Sequence, residues 1–281
     1  MTESQSLSDI RIEQISIVIR DRDAMIGFYT KHLGMDHLRS AGKTHLLGFG
    51  AQEPLLELVE ENTAMARPPG APGLFHMAFL YPNRQQLATA LRRLISTRWA
   101  LQGAADHGVS EAIYLEDPEG NGIEIYADRP KDSWSMKNGE IRMVTEPLDL
   151  DELLAEKEKH GSGVQGVRIG HVHLQVSSLS AAETFWCAGI GLEATQRSFP
   201  GALFVSAGGY HHHLGLNTWR SSGGTLPEGV WTGLRSLIIL VPDDREFSVL
   251  AGRLEGADTS DQGMITTRFE TTTVHIHATP Q

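Results

Sequence analysis

One pattern occurs four times along the 281 residues, and it constrains the architecture before any single motif does. A strand leads into an amphipathic helix, and two or three further strands follow. In the first unit Ile12 to Asp21 reads as a strand and Asp23 to Leu33 as a helix closed by Gly34, a good left-handed cap. Strands follow at 45–49 and 54–59. The same order returns at Ile169 to Ser178, with a helix over Ser180 to Ala188 and strands at 202–206 and 211–217. Gln14 superimposes on His171 without a gap as far as Phe28-Tyr29 on Phe185-Trp186, an offset of 157 residues. Two copies are looser. Phe75 to Pro82 is a strand before a helix at 84–98, and Leu234 to Pro242 is a strand before a helix at 244–254 and strands at 263–270 and 272–278. Aligning Pro82 with Pro242 puts Ser236 over His76. The order predicts an α+β chain of four βαβββ modules. Residues 129–166 break the pattern and read as a linker, with a short charged helix over Leu148 to Lys159 and Gly161-Ser-Gly163 after it. This divides the chain into 9–128, 129–166 and 167–281.

The closing strands of the second unit hold an unusual acid. Asp117-Pro-Glu-Gly-Asn-Gly122 is dense in turn chemistry, so the chain reverses there. Side chains two apart share one face of a strand. Tyr114 and Glu124 can therefore both face away from the apolar layer of Ile113, Leu115, Ile123 and Ile125. A carboxylate flanked by isoleucines is costly to bury without a partner or a metal. The Asp-Pro-Glu-Gly sequence alone is a common turn.

Composition removes several classes of partner. The net charge of −11 argues against a nucleic-acid backbone or an anionic membrane. No run of 18 apolar residues is present, and the first residues lack a basic region and an apolar core, so neither a membrane span nor a secretory signal is expected. Cys187 is the only cysteine, so disulfides within the chain are excluded and a reducing cytoplasm is the expected compartment.

The repeated βαβββ unit resembles the vicinal oxygen chelate superfamily, which includes glyoxalase I, extradiol catechol dioxygenases and antibiotic-resistance binding proteins. The resemblance implies units pairing into two curved mixed sheets, with ligands on the first and last strands of each unit. The first strands offer Gln14, His76, His171 and Ser236; the last offer Glu57, Glu124, Gly215 and His275. Alternation supports each as inward-facing: His171, His173 and Gln175 share one face and Val172, Leu174 and Val176 the other. If units 1 and 2 pair, the site is Gln14, Glu57, His76 and Glu124, similar to the metal set of a glyoxalase I lyase with Zn²⁺ or Ni²⁺. If units 2 and 3 pair, it is His76, His171 and Glu124, with Gly215 leaving the fourth place open. Two histidines and one carboxylate with open positions are the facial triad of non-haem Fe(II) oxygenases.

Further residues favour the second pairing. His107, Ile113-Tyr114, Asp117-Pro-Glu-Gly120 and Glu124 follow the order found in extradiol dioxygenases, departing at the peripheral Ala105. With Tyr210-His-His-His-Leu-Gly-Leu-Asn217 and Ala127-Asp-Arg-Pro130 they are closely similar to bacillus-type catechol 2,3-dioxygenases. This resemblance implies a cytoplasmic enzyme of aromatic catabolism that opens a catechol with O₂ to a yellow 2-hydroxymuconate semialdehyde. It implies Fe(II), with Mn(II) acceptable to the same ligands, held by His76, His171 and Glu124. His213, 42 residues after His171, would be the acid toward reacting dioxygen, and Tyr114 and His107 would hold the substrate oxygens. Units 1 and 4 would be a relic around Gln14, Glu57 and His275, and a homo-oligomer is compatible with such a chain. A metal-free protein binding a small ligand is the third reading of the fold. His32, His37, His45, His160, His211 and His212 read as ordinary histidines, His212 pointing toward the helices.

Overall fold

Each unit begins with a strand whose end supplies the cap of the next helix. Asp21, Asn83, Ser178 and Asp243 each accept a backbone N–H three residues on, satisfying a donor that the first turn cannot. The computed structural model describes residues 6–50, 53–157, 164–254, 257–260 and 263–279. His160, Gly161-Ser-Gly163 and the end of the helix expected over 148–159 lie outside them.

The first unit comprises β1 (Arg11–Ile19), α1 (Arg22–Phe28), β2 (Asp36–Ala41), β3 (Thr44–Gly48) and β4 (Leu56–Glu60). The second has β5 (Gly73–Tyr81), α2 (Arg84–Ser96), β6 (Gly103–Asp106), β7 (Ser110–Glu116) and β8 (Gly122–Asp128). Short strands β9 (Met136–Lys137), β10 (Glu140–Ile141) and β11 (Glu146–Pro147) and helix α3 (Leu150–Leu154) follow. The third unit has β12 (Arg168–Gln175), α4 (Leu179–Glu183), β13 (Glu193–Gln196), β14 (Ala202–Ser206) and β15 (Leu214–Asn217). The fourth has β16 (Gly233–Val241), α5 (Asp244–Arg253), β17 (Asp258–Ser260), β18 (Met264–Phe269) and β19 (Thr272–Ala278). In units 1 and 3 the helix widens into a π-helical turn, at Tyr29–Leu33 and Thr184–Gly189. Gly34 ends the first of these at φ +79°, as its missing Cβ permits.

Both pairings cross the linker: unit 2 pairs with unit 3 and unit 1 with unit 4, and unit 1 does not pair with unit 2. One sheet runs β17-β18-β19-β16-β1-β4-β3-β2 and joins units 4 and 1 through antiparallel β16 and β1. The other runs β11-β6-β7-β8-β5-β12-β15-β14-β13 and joins units 2 and 3 through antiparallel β5 and β12. The alternative ligand set is thereby broken: Gln14 and Glu57 lie in one sheet, His76 and Glu124 in the other. Glu57 instead accepts a 2.5 Å hydrogen bond from the Ser16 hydroxyl, Gln14 donates to the Pro54 carbonyl, and His275 bonds Thr266.

A single apolar layer fixes which face of the second sheet turns inward. Ile15 and Ile17 of β1, Met77 and Phe79 of β5, Val172 and Leu174 of β12 and Leu237 and Ile239 of β16 are buried in one cluster. Each contributes on the order of 1.5–3 kcal/mol by leaving water. Phe49 packs edge-on against Phe79 and Tyr81, joining unit 1 to the second sheet. With odd-numbered Ile113, Leu115, Ile123 and Ile125 committed to this layer, the even positions must face the opposite way.

Candidate metal centre

The strand register assembles the site. Glu124 stands opposite Tyr114 on β7 and beside Ala78 on β5, and Ala78 in turn faces His171 on β12. The methyl of Ala78 leaves the space between the carboxylate and the imidazole open. His76 lies two residues before Ala78, on the same face. The His76 Nε2 is 3.1 Å and the His171 Nε2 3.2 Å from Glu124 Oε2, and the two nitrogens are 3.3 Å apart. All three side chains are buried. Among the described residues this is the one group of three or more His, Cys, Asp or Glu able to hold a metal ion. Its near-equilateral triangle suits the donors on one face of a cation with bonds of about 2.0–2.2 Å.

The charge states suit a cation as well. Burial pushes the Glu124 carboxyl up, but the facing His171 and His76 rings outweigh it and hold the group well below the usual carboxylate range. Burial drives His171 down to about 4, against the pull of Glu124, so its ring is neutral. An ionised carboxylate and a neutral imidazole are the forms that ligate metals. The second ring nitrogen of His171, Nδ1, is buried without a hydrogen-bond partner.

Two polar chains approach the triangle. On one side the His107 Nδ1–H donates to the Val144 carbonyl at 2.6 Å, which leaves Nε2 to accept from the Tyr114 hydroxyl at 2.5 Å. The Tyr114 phenol is pushed well above its usual range by burial and then by the nearby Glu124, so it remains a donor. On the other side Asp128 accepts from His211 Nε2 at 2.9 Å, and the Nδ1 atoms of His211 and His212 are 2.8 Å apart. With the His211 proton on Nε2, its Nδ1 must accept from His212, whose Nε2 then has no proton.

His212 and His213 exchange the positions expected for them. His212 stacks on His171 with ring centroids 4.1 Å apart and lines the cavity. His213 does not line it; its Nδ1 bonds the Ser206 hydroxyl at 2.8 Å, and burial drives it down to about 3. Period-two alternation placed His213 on the face of Gly215, but β15 begins only at Leu214. Residues 211–213 form a bend, where the alternation does not apply. The remaining expected residues, His76, His107, Tyr114, Glu124 and His171, all line one cavity of about 620 Å³.

Comparison with known proteins places the chain. Residues 11–125 match the model of the glyoxalase/bleomycin resistance protein/dioxygenase superfamily. A catechol-2,3-dioxygenase from Bacillus subtilis (strain 168) is 37% identical over 255 residues, covering 89% of each chain. The chain belongs to the glyoxalase/bleomycin resistance protein/dioxygenase superfamily. The fold is shared with solved structures of low sequence identity. A putative dioxygenase from Bacillus subtilis subsp. subtilis str. 168 superimposes with TM-score 0.65 at 16% identity, over 99% of this chain and 87% of that one. Glyoxalase I from Zea mays gives 0.57 at 14%, over 95% and 92%. No helix among the described residues is long and apolar enough to cross a membrane.

Several wall residues of this superfamily member escape a reading by repeats. Met143, Val144 and Thr145 come from the linker, which carries no periodicity. β11 of the same segment pairs with β6 and holds it in place. Arg67 lies in the Pro- and Gly-rich approach to β5, and Phe199, Trp219 and Arg220 in loops of unit 3. His173 was legible on the inward face, yet not as a wall residue. Its ring occupies the space above Gly215, where a Cβ would stand 2.8 Å from it.

Proposed function

We propose that the protein is an Fe(II)-dependent extradiol dioxygenase that opens a catechol ring between a hydroxylated carbon and the adjacent non-hydroxylated one. The observation that carries this reading is the buried His76–Glu124–His171 triangle, facing a cavity whose walls hold Tyr114–His107 and His212. Two histidines and one carboxylate leave positions for both substrate oxygens and for O₂. When bound at these three residues, the cation would acidify a catechol hydroxyl and let electrons pass from the ring to O₂. Mn²⁺ accepts the same donors.

The chain's own residues would handle protons and orientation. Val144 fixes the His107 tautomer, His107 fixes the Tyr114 hydroxyl, and Tyr114 sets one substrate oxygen and hence the plane of the ring. His212 is held with Nε2 unprotonated by the His211–Asp128 pair. It can take the hydroxyl proton of the entering catechol and return it to oxygen as the ring opens. This assigns to His212 the role expected of His213. Phe75, Phe204 and Trp219 exclude water from the aromatic substrate. The product would be a 2-hydroxymuconate-semialdehyde-type acid.

The glyoxalase reading loses support, because Gln14 and Glu57 belong to the other sheet. Anaerobic loading with Fe(II), then catechol and air, should raise yellow absorbance. Turnover of a glutathione hemithioacetal, with no colour from any catechol, would overturn the proposal.

A further inference from the structure

We infer that the substrate carries an anionic arm, bound at the end of the cavity where Arg67 and Arg220 stand. The inference rests on the dioxygenase reading of the same site. Arg67 and Arg220 both line the cavity, and neither forms a salt bridge with a described residue. Arg84 and Arg129, which are part-buried like Arg67, do have carboxylate partners. Arg84 bonds Glu111 and Glu156, and Arg129 bonds Asp106 and Glu111. The chain has 35 acids to 24 bases, so carboxylates are not scarce.

Arg67 is part-buried and meets only neutral acceptors. Nη1 donates to the Ala71 carbonyl at 2.5 Å and to Gln175 Oε1 at 2.8 Å, and Nη2 to the Leu74 carbonyl at 2.8 Å. A guanidinium has five N–H donors, so two remain without a partner among the described residues. Burial alone lowers its pKa, with no carboxylate opposing. Leaving a cation part-buried and unpaired is costly unless a ligand supplies the counter-charge. Arg220 belongs to the same end: its carbonyl packs on Gly70, where a Cβ would approach to 3.3 Å. Two carboxylates also line the cavity. Glu124 belongs to the metal triangle, and Glu116 lies on β7, three strands from β12, without an ion pair to either arginine.

The position of this end sets the length of the arm. Gln175, which holds Arg67, is four residues beyond His171 on the same strand face. At about 3.3 Å per residue the anion site lies roughly 13 Å along β12 from the metal triangle. A carboxylate placed directly on a catechol ring falls short of that. A carboxyalkyl or carboxyaryl arm reaches it, passing His173, Phe75 and Trp219. Phe75 and Trp219 have ring centroids 5.3 Å apart and are 37% and 44% exposed, so they present an apolar flank for the arm. The cavity of about 620 Å³ is in the range of drug-sized ligands and far larger than a bare catechol.

The test uses the iron-loaded, full-length protein and matched pairs: the 2,3- and 3,4-dihydroxyphenylpropanoic acids and their methyl esters. An acid should be favoured over its ester about tenfold or more in kcat/KM, through KM, as a charge-assisted contact requires. The ratio should collapse toward one in Arg67→Gln and in Arg220→Gln. The second variant matters because Arg67 also ties residues 71–74 to β12, whereas the Arg220 side chain is exposed. Calorimetric titration of 3-phenylpropanoate against 3-phenylpropan-1-ol, without iron or O₂, gives a readout free of turnover. Ring cleavage of acid and ester at equal efficiency would overturn the inference and leave the dioxygenase reading standing. Tighter binding of the acid, lost in both variants, with no catechol cleaved, would overturn the dioxygenase reading and leave the anion site standing. No preference for the acid in either measurement would overturn the inference.

Discussion

Replacing Glu124 by Gln separates a metal site from a merely structural cluster. Glu124 is 3% exposed, and its Oε2 lies 3.1 Å from His76 and 3.2 Å from His171. Glutamine keeps the volume and removes the charge. In metal-free protein this also removes an ionised group from a buried position, so stability should stay within about 1 kcal/mol of the parent. The parent should respond to cation quite differently. Its three donors already form the triangle, and a ligand at a hundred times its Kd adds about 2.7 kcal/mol to folding. Since 1 kcal/mol moves Tm by roughly 2–4 °C in a chain approaching this size, the expected rise is about 5–10 °C. In Glu124→Gln, a neutral and weaker ligand, the rise should nearly vanish. Thermal unfolding followed by circular dichroism, after chelation and then with anaerobic Fe(II) or Mn(II), reads both quantities. An equal rise in parent and variant would refute the reasoning, because the cation would then bind elsewhere.

The neighbouring residues give further expectations. His212→Ala should lower kcat by about 10²–10⁴, whereas His213→Ala, which loses the Ser206 bond outside the cavity, should cost stability of about 1 kcal/mol and leave kcat near that of the parent; the reverse order would return the role to His213. Tyr114→Phe leaves His107 Nε2 without its donor, and steady-state kinetics should show a higher KM for catechol with a loss of about 1–3 kcal/mol of stability. Asp117 accepts from Tyr29, from Asn121 and from the backbone of Glu119, yet burial raises it to about 6. A folded pKa above the unfolded value of about 4 means its contribution is fully present below pH 4 and lost as pH rises through 6. Relative to the parent, Asp117→Asn should therefore gain about 3 kcal/mol between pH 4 and pH 7 in denaturant titrations; a constant difference across that range would contradict the assignment.

The site was legible where strand alternation governs and hidden where it does not. His76, Glu124 and His171 lie within regular strands of repeated units, so their common face could be read from two-residue periodicity. The same rule failed within the three residues before Leu214, because His211 to His213 form a bend in which His211 is tied to Asp128 of another unit. Nothing in the linker marks Val144 as the group that fixes the His107 tautomer, since the contact is made by a backbone carbonyl. Arg67 was equally silent. Its meaning comes from the missing carboxylate around it, which only three-dimensional placement exposes. The repeats alone left the pairing open between units 1 with 2 and units 2 with 3, and the motifs around Glu124 and after His171 favoured the second. The β5–β12 and β1–β16 registers join units 2 with 3 and 4 with 1, and so bring His76, Glu124 and His171 together.

The central claim is that one cation touches units 2 and 3 together. Anomalous diffraction at the iron edge, from crystals loaded anaerobically with Fe(II), tests it most directly. A single peak within about 2.0–2.3 Å of His76 Nε2, His171 Nε2 and a Glu124 oxygen is the predicted result. A peak that engages Glu124 and His76 without His171, or that lies in the sheet of units 1 and 4, would contradict it.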